Sequence, residues 1–590
     1  MTNRLQFLCK VFLLGIFSGT YALQSDAKVA KPGLITAEQP DGTTLTVRLT
    51  GGFHNRMAYS EDGYALIPDE EGFYTFADYD AVSGTLRSSG IKAVKVSERS
   101  QATISYLSRI DKAQVEKAVE IKRTESSKAP AKGPGLFSTT FPSKGEQRSI
   151  AILVEYKNKD FSIENPRDFF DRFLNEEGFS DYGATGSARD YFIHNSFGLF
   201  QPYFDVYGPV KLENNYSYYG ANNDQRAYEM IIEACQLLDD EIDFSEYDRN
   251  GDGMIDNVYV FYAGYGEADG GSANTVWPHS WDIEYADPFH KYMFDGVRLN
   301  HYACSNELQY SNNLPDGIGS FCHEFSHVMG LPDLYATDYS NSFTPGNWSI
   351  LDVGSYNNNS HTPPNFSSFE RYALDWIEPT VLSEAGEYSL EDLGETNEAF
   401  IVPTEKTNEF YLLENRQKTG NDYYLPGHGM LVWHIDFVQS KWDANTVNNT
   451  PNHQYVDLVE ADDKKTAATR SGDSFPGNKN VTEFTCEGSP AFVSWSNKPV
   501  GIDILDIAES KDGIITFKAE SCKVAAVESI DSVINKFIIN GNLLSTSHGT
   551  AEVYDISGRK VSNIGLTPVM LPQGLYIVTD GNITQKIVIR

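Results

Sequence analysis

Positive charge is scarce in this chain: 47 lysines and arginines stand against 82 aspartates and glutamates, a net charge of −35 over 590 residues. Such a surface repels phosphate backbones and anionic lipid, which argues against nucleic acid or a membrane surface as partner. It suits a solvated exterior and is also common in extracellular proteins that bind calcium. Long apolar runs are missing as well. Val11-Phe12-Leu13-Leu14-Gly15-Ile16-Phe17 is far too short to span a bilayer, and no later stretch has 18 uninterrupted apolar residues. With Arg4 and Lys10 at or before its start and Thr20-Tyr21-Ala22 behind it, that run reads as a signal peptide over 1–22. The expectation is an exported mature protein with no transmembrane segment. Cysteine is sparse too. Once Cys9 leaves with the signal, Cys235, Cys304, Cys322, Cys486 and Cys522 remain, an odd set that cannot be fully paired. Cys486 and Cys522 are candidates for a bridge in an oxidising compartment, and Cys322 reads as a small buried residue.

What is present, 40% hydrophobic and 13% aromatic residues, belongs to a globular chain too long for one core. Alternating segments such as Thr44 to Leu49 and Tyr74 to Phe76 predict short strands, punctuated by Asp41-Gly42, Asp62-Gly63 and Glu71-Gly72. A helical stretch follows at Ala113 to Ile121, and 122–147, rich in Lys, Ser, Pro and Gly, reads as an exposed linker. A small β-rich unit with a flexible tether, 23–147, has the look of a removable propeptide. Buried-strand patterns at Ile150 to Tyr156 and Val258 to Ala263, with helices near Asp168–Leu174 and Gln225–Leu238, predict an α/β (α+β) unit over 148–380. Short strands such as Phe410 to Leu413 and Gly429 to Ile435 predict a β-sandwich over 381–522, and three further strands a small β-module over 523–590.

Chemistry concentrates at Ile318 to Asp333. On a helix, Ile318, Phe321, Cys322, Phe325, Val328 and Met329 make one apolar stripe, while His323 and His327 fall one turn apart on the other face beside Glu324. Two imidazoles so placed bind one zinc, with Glu324 positioned as general base for a water. Gly330 ends the helix and Pro332 cannot continue it, so the chain turns back and brings Asp333 round as third ligand. Glu370, in the helical stretch Phe366 to Leu374, is the rival for that place. A second candidate metal site lies upstream. Asp248, Asn250 and Asp252 fall at positions 1, 3 and 5 of a calcium loop, Met254 offers the main-chain carbonyl at position 7, and Asp256 sits at position 9. Tyr259 at position 12 departs from the EF-hand, so the loop is a calcium site of another frame or an Asx-rich turn.

The stretch Phe321 to Tyr335 resembles the immune inhibitor A-like family of secreted bacterial metalloproteases, which read HEFGHxLGLPDLYD or close to it. Asp248 to Asn257, Trp277-Pro278-His279, Gly346 to Gly354, Leu413 to Arg416, Pro426 to Gly429 and Gly472 to Gly477 are similar to further family segments in the same order. The resemblance implies a zincin-type catalytic domain, a zymogen, and protein or peptide substrates. Leu351 stands where the family usually carries a Met, and Ser326 where it usually carries a Gly. Val553 to Val561, Leu571 to Val578 and Lys586 to Arg590 resemble the C-terminal sorting domain of type IX secretion cargo. That implies the type IX machinery as partner and a secreted or cell-surface destination by way of the periplasm. The expected function is thus a zinc-dependent endopeptidase. The alternative is an inactive adhesin or binding protein that keeps zinc and calcium for structure, against which an intact Glu324 argues.

Overall fold

A computed structural model describes residues 26–50, 56–69, 71–80, 85–126, 141–338, 340–406, 408–522, 537–540, 543–546, 549–555, 559–572, 574–579 and 584–589. The expected signal peptide, the middle of the expected linker at 127–140, and the turn residues Ser557, Gly558 and Gln573 lie outside them.

Ile150 to Val154 is buried at every position, because both faces of its sheet are covered. Six strands follow in the order Asp26–Ala27, His279–Asp282, His301–Leu308, Val258–Tyr265, Gly145–Glu155 and Phe200–Lys211. The last four are parallel neighbours, and His279–Asp282 runs antiparallel to His301–Leu308. Side chains alternate between faces: Ala151, Leu153, Tyr259 and Phe261 join one apolar cluster, Ile150, Ile152, Val154, Val258 and Val260 another. The helix Ala227–Leu238 packs on the second face through Met230, Ile231 and Cys235. The helix Ile318–Val328 packs on the first, where Phe321 and Phe325 meet the Phe204 ring at centroid distances of 4.9 and 5.2 Å. The predicted apolar stripe is therefore the face that holds this helix down.

The N-terminal unit is a six-stranded antiparallel meander from Ile35–Glu38 to Thr85–Lys92, followed by helices Gln101–Leu107 and Lys112–Ser126. The expected linker is shorter than 122–147. Nothing in the Lys112–Ser126 sequence breaks the helix before Ser126, and Gly145 to Ser149 already pairs with Phe200 to Phe204. Arg56 of the meander is buried against the central sheet unit, 2.6 Å from Asp224 Oδ2 and 2.9 Å from Glu267 Oε2, with its guanidinium over the Trp277 ring. A buried guanidinium is tolerable only with such partners.

Beyond residue 380, a five-stranded sheet, which includes Glu409–Arg416 and Gly429–Asp436, shares an apolar cluster with the three-stranded sheet Gly386–Leu390, Ile515–Ser521 and Ile502–Glu509. Its other face contributes Leu412, Leu431, Trp433 and Ile435 to the same cluster that underlies the Ile318–Val328 helix. Near the end, Lys560–Ile564, Ala551–Asp555, Gly574–Thr579 and Thr584–Ile589 form a four-stranded antiparallel sheet with its own small cluster around Val553, Ile564 and Val578. Among the described residues no helix is long and apolar enough to cross a membrane.

Candidate metal centre

The helix Ile318–Val328 ends in a Schellman turn. Leu331 N donates to Ser326 O at 3.1 Å and Gly330 N to His327 O at 2.9 Å, with Gly330 at φ 94°. This turn also acts on the site, because the Leu331 carbonyl it redirects accepts from His327 Nδ1 at 2.8 Å. On the other side, Ile350 O accepts from His323 Nδ1 at 2.7 Å. Carbonyls only accept, so both Nδ1 atoms carry protons, and Nε2 is the nitrogen that each ring has left to offer a metal. Those Nε2 atoms stand 3.1 Å apart. Asp333 Oδ1 lies 3.3 Å from His323 Nε2 and 3.2 Å from His327 Nε2. Two imidazole nitrogens and a carboxylate oxygen converging in a buried place fit a cation such as zinc. Asp333 is held by Asn445, whose Oδ1 accepts from Asp333 N and whose Nδ2 donates to Asp333 Oδ2, both at 2.8 Å.

Glu324 is fully buried next to this triad. Burial, reinforced by Asp333, pushes its carboxyl up to about 8 against the opposing pull of His323 and of the Lys28 amide. Its Oε1 accepts from Lys28 N at 2.8 Å, while Oε2 accepts nothing from the described residues. The histidines are buried like Glu324, at 0% and 4% exposure. The chain's own N-terminal segment lies against Glu324. Asp26 and Ala27 pair antiparallel with Ser280 and His279 at the sheet edge, Trp277 Nε1 donates to Lys28 O at 2.8 Å, and Tyr356 Oη to Val29 O at 2.7 Å.

Residues 151–381 match the immune inhibitor A peptidase M6 catalytic domain. The pre-pro-metalloprotease PrtV of Vibrio cholerae serotype O1 is 27% identical over 325 residues, 46% of this chain and 35% of the relative. Immune inhibitor A of Bacillus thuringiensis subsp. alesti is 30% identical over 141 residues, 21% of this chain and 20% of the relative. The matches thus span about a third of the first relative's length and less of the second's. Over residues 151–381 the chain is thus similar to the catalytic domain of that metallopeptidase family.

The other sequence candidates sort differently. Glu370 does not join the three donors: its carboxylate accepts from Ser349 Oγ and Ser367 N, both at 2.5 Å, and closes a capping box on the helix Ser368–Ala373. Leu351 is buried, and its carbonyl accepts from Leu334 N at 2.8 Å, so the turn beneath the histidines is braced without a methionine. Ser326 donates back to Cys322 O at 2.6 Å, away from the donors. The loop at Asp248 closes on itself, with Asp248 accepting from Asp252 N and Gly253 N and Asp252 from Met254 N. Asp248, Asp252 and Asp256 do not converge within 4.8 Å as the zinc donors do. Burial, with Asp248 and Asp252 adding to it, pushes the Asp256 carboxyl up to about 7. Cys486 and Cys522 do meet, grouped with Asp503, as two free thiols.

Lys28 and Asn445 carry no motif and were invisible to sequence reasoning. Asn445→Ala should weaken metal binding by about ten- to a hundredfold, the usual effect of releasing a metal-bound carboxylate from its outer partner. Competition with a chromophoric chelator measures this; an unchanged affinity would show that Asn445 does not orient the ligand.

Proposed function

We propose that the chain is a zinc-dependent endopeptidase made as a zymogen. The observation that carries this reading is the convergence of His323 Nε2, His327 Nε2 and Asp333 Oδ1 beside Glu324, with an extended segment of the same chain resting on Glu324. Zinc bound by those three donors supplies Lewis acidity to the carbonyl under attack. Glu324 takes a proton from the attacking water and returns it to the leaving amine. The strand His279–Asp282, which becomes the sheet edge once Asp26 and Ala27 leave it, aligns the substrate backbone as it aligns them. While segment 26–31 lies there the strand and Glu324 are engaged, which accounts for latency; removal of 23–147 is the activating step. The domain division 1–22, 23–147, 148–380, 381–522 and 523–590, with a zincin-type catalytic domain and a β-sandwich behind it, belongs to the same proposal.

The full-length chain should leave casein intact until its N-terminal unit is cut away, after which hydrolysis should be abolished by chelator. Glu324→Ala should keep its metal and fold but lose at least about a hundredfold in activity, the scale of a general-base contribution. Near wild-type hydrolysis by that variant would remove Glu324 from the mechanism. A metal-loaded, processed protein that hydrolyses nothing would favour the inactive adhesin.

Calcium at Asp248, Asn250, Asp252, the Met254 carbonyl and Asp256 is part of the proposal. Crowded carboxylates, one of them buried with an oxygen that accepts nothing from described residues, are what a divalent cation relieves. Calcium removal should lower the melting temperature, and Asp252→Ala should abolish that shift. A shift that survives the substitution would place the ion elsewhere.

The C-terminal unit, with its own apolar cluster, is proposed as the type IX sorting domain, so export runs through the periplasm to the medium or cell surface. Deleting 524–590 should trap active enzyme in the periplasm of the native host. Recovery of the truncated enzyme from the medium at normal levels, in a fractionation with zymogram, would contradict the assignment.

A further inference from the structure

Beside the metal donors lies a pocket that already holds a lysine side chain. Lys28 is 3% exposed. Its Nζ donates to the hydroxyls of Ser320 and Ser360, stands 3.8 Å from Asp316 Oδ2, and lies 3.9 Å from the centroid of the Tyr356 ring. Every group around the ammonium is one that an ammonium prefers: a carboxylate, hydroxyl oxygens and an aromatic face.

The carboxylate is fixed in place by more than its visitor. Gly317 N and Gln309 Nε2 donate to Asp316 Oδ1 at 3.0 and 2.9 Å, and the Ser320 hydroxyl donates to Oδ2. Burial pushes the Asp316 carboxyl up, but the Lys28 ammonium and these donors outweigh it and hold the group below the usual carboxylate range. The wall opposite is close. A Cβ on Gly317 would meet Ser360 O at 2.1 Å, and one on Gly319 would meet Ser355 O at the same distance. Only glycines there let the 353–361 loop close over the lysine stem.

The main chain shows which subsite this is. The nitrogen resting on Glu324 Oε1 is that of Lys28, and Ala27 before it pairs with His279. In hydrolysis the hydroxyl of water joins the carbonyl carbon, the C–N bond breaks, and the base returns the proton to the leaving nitrogen. The nitrogen at Glu324 is the leaving one, so the pocket receives the side chain on the carboxy-terminal side of the bond. We propose that this pocket sets substrate choice, so that the enzyme cleaves polypeptides on the amino side of lysine, with Asp316 as the specificity-determining residue. The proposal rests on the endopeptidase reading above.

To test it, the full-length protein is activated, supplied with zinc and incubated with denatured proteins, and the new amino termini are sequenced. Lysine should dominate the first position. A fluorogenic peptide with lysine after the scissile bond should show a kcat/KM at least about tenfold above its norleucine analogue. Asp316→Asn, which keeps an oxygen for Gly317 and Gln309, should shrink that ratio at least about tenfold. Chelator-sensitive hydrolysis without lysine enrichment would overturn the pocket assignment and leave the endopeptidase intact. An undiminished lysine ratio in Asp316→Asn would overturn the role of Asp316. No hydrolysis of any substrate would defeat the endopeptidase reading, and the specificity with it.

Discussion

Two imidazole nitrogens and a carboxylate oxygen are held within 3.1–3.3 Å of one another in the interior. In a low-dielectric environment the lone pairs of three such atoms repel unless a cation or a shared proton lies between them. The surroundings impose this arrangement: the Ile350 and Leu331 carbonyls take the Nδ1 protons, and Asn445 fixes the carboxylate. A divalent cation turns the repulsion into attraction. Much of the fold serves to keep these atoms in place, from the phenylalanine contacts under the helix to the glycine turn at its end.

The site is consequently composite. Asn445 approaches from 112 residues downstream of Asp333, and Leu431, Trp433 and Trp442 pack into the apolar cluster beneath the helix. From the other direction the N-terminal segment reaches across, fastened by Trp277 to the Lys28 carbonyl and by the buried Arg56 to Asp224 and Glu267. Trp277 N also donates to Asp224 Oδ2, so one tryptophan links the segment over the site to the ion pair that anchors the meander. Cutting the chain does not by itself expose Glu324; these contacts have to let go as well.

What could be read from the sequence was local. The HExxH helix, its apolar stripe and the return to Asp333 follow from helical periodicity and cap chemistry within 16 residues, and the structure has each of them. Glu370 stayed open as a rival ligand, although Ser367 and Glu370 at cap spacing already spelled a capping box. The same signal at Ser187 and Asp190 starts the helix Ala188–Asn195, which the periodicity reading passed over. The strand Phe200–Lys211 was missed because Pro202, Gly208 and Pro209 interrupt its alternation. Asp316 beside Lys28, and Lys28 beside Glu324, were out of reach because 288 and 296 residues separate them, and no local pattern encodes such contacts.

The central claim is that these three donors hold zinc. Anomalous diffraction at the zinc edge, from crystals of the full-length protein grown with zinc, tests it most directly. The account predicts one strong peak about 2.0–2.2 Å from His323 Nε2, His327 Nε2 and Asp333 Oδ1. A peak ligated by Glu370 in place of Asp333, or no peak between the two imidazoles, would contradict it.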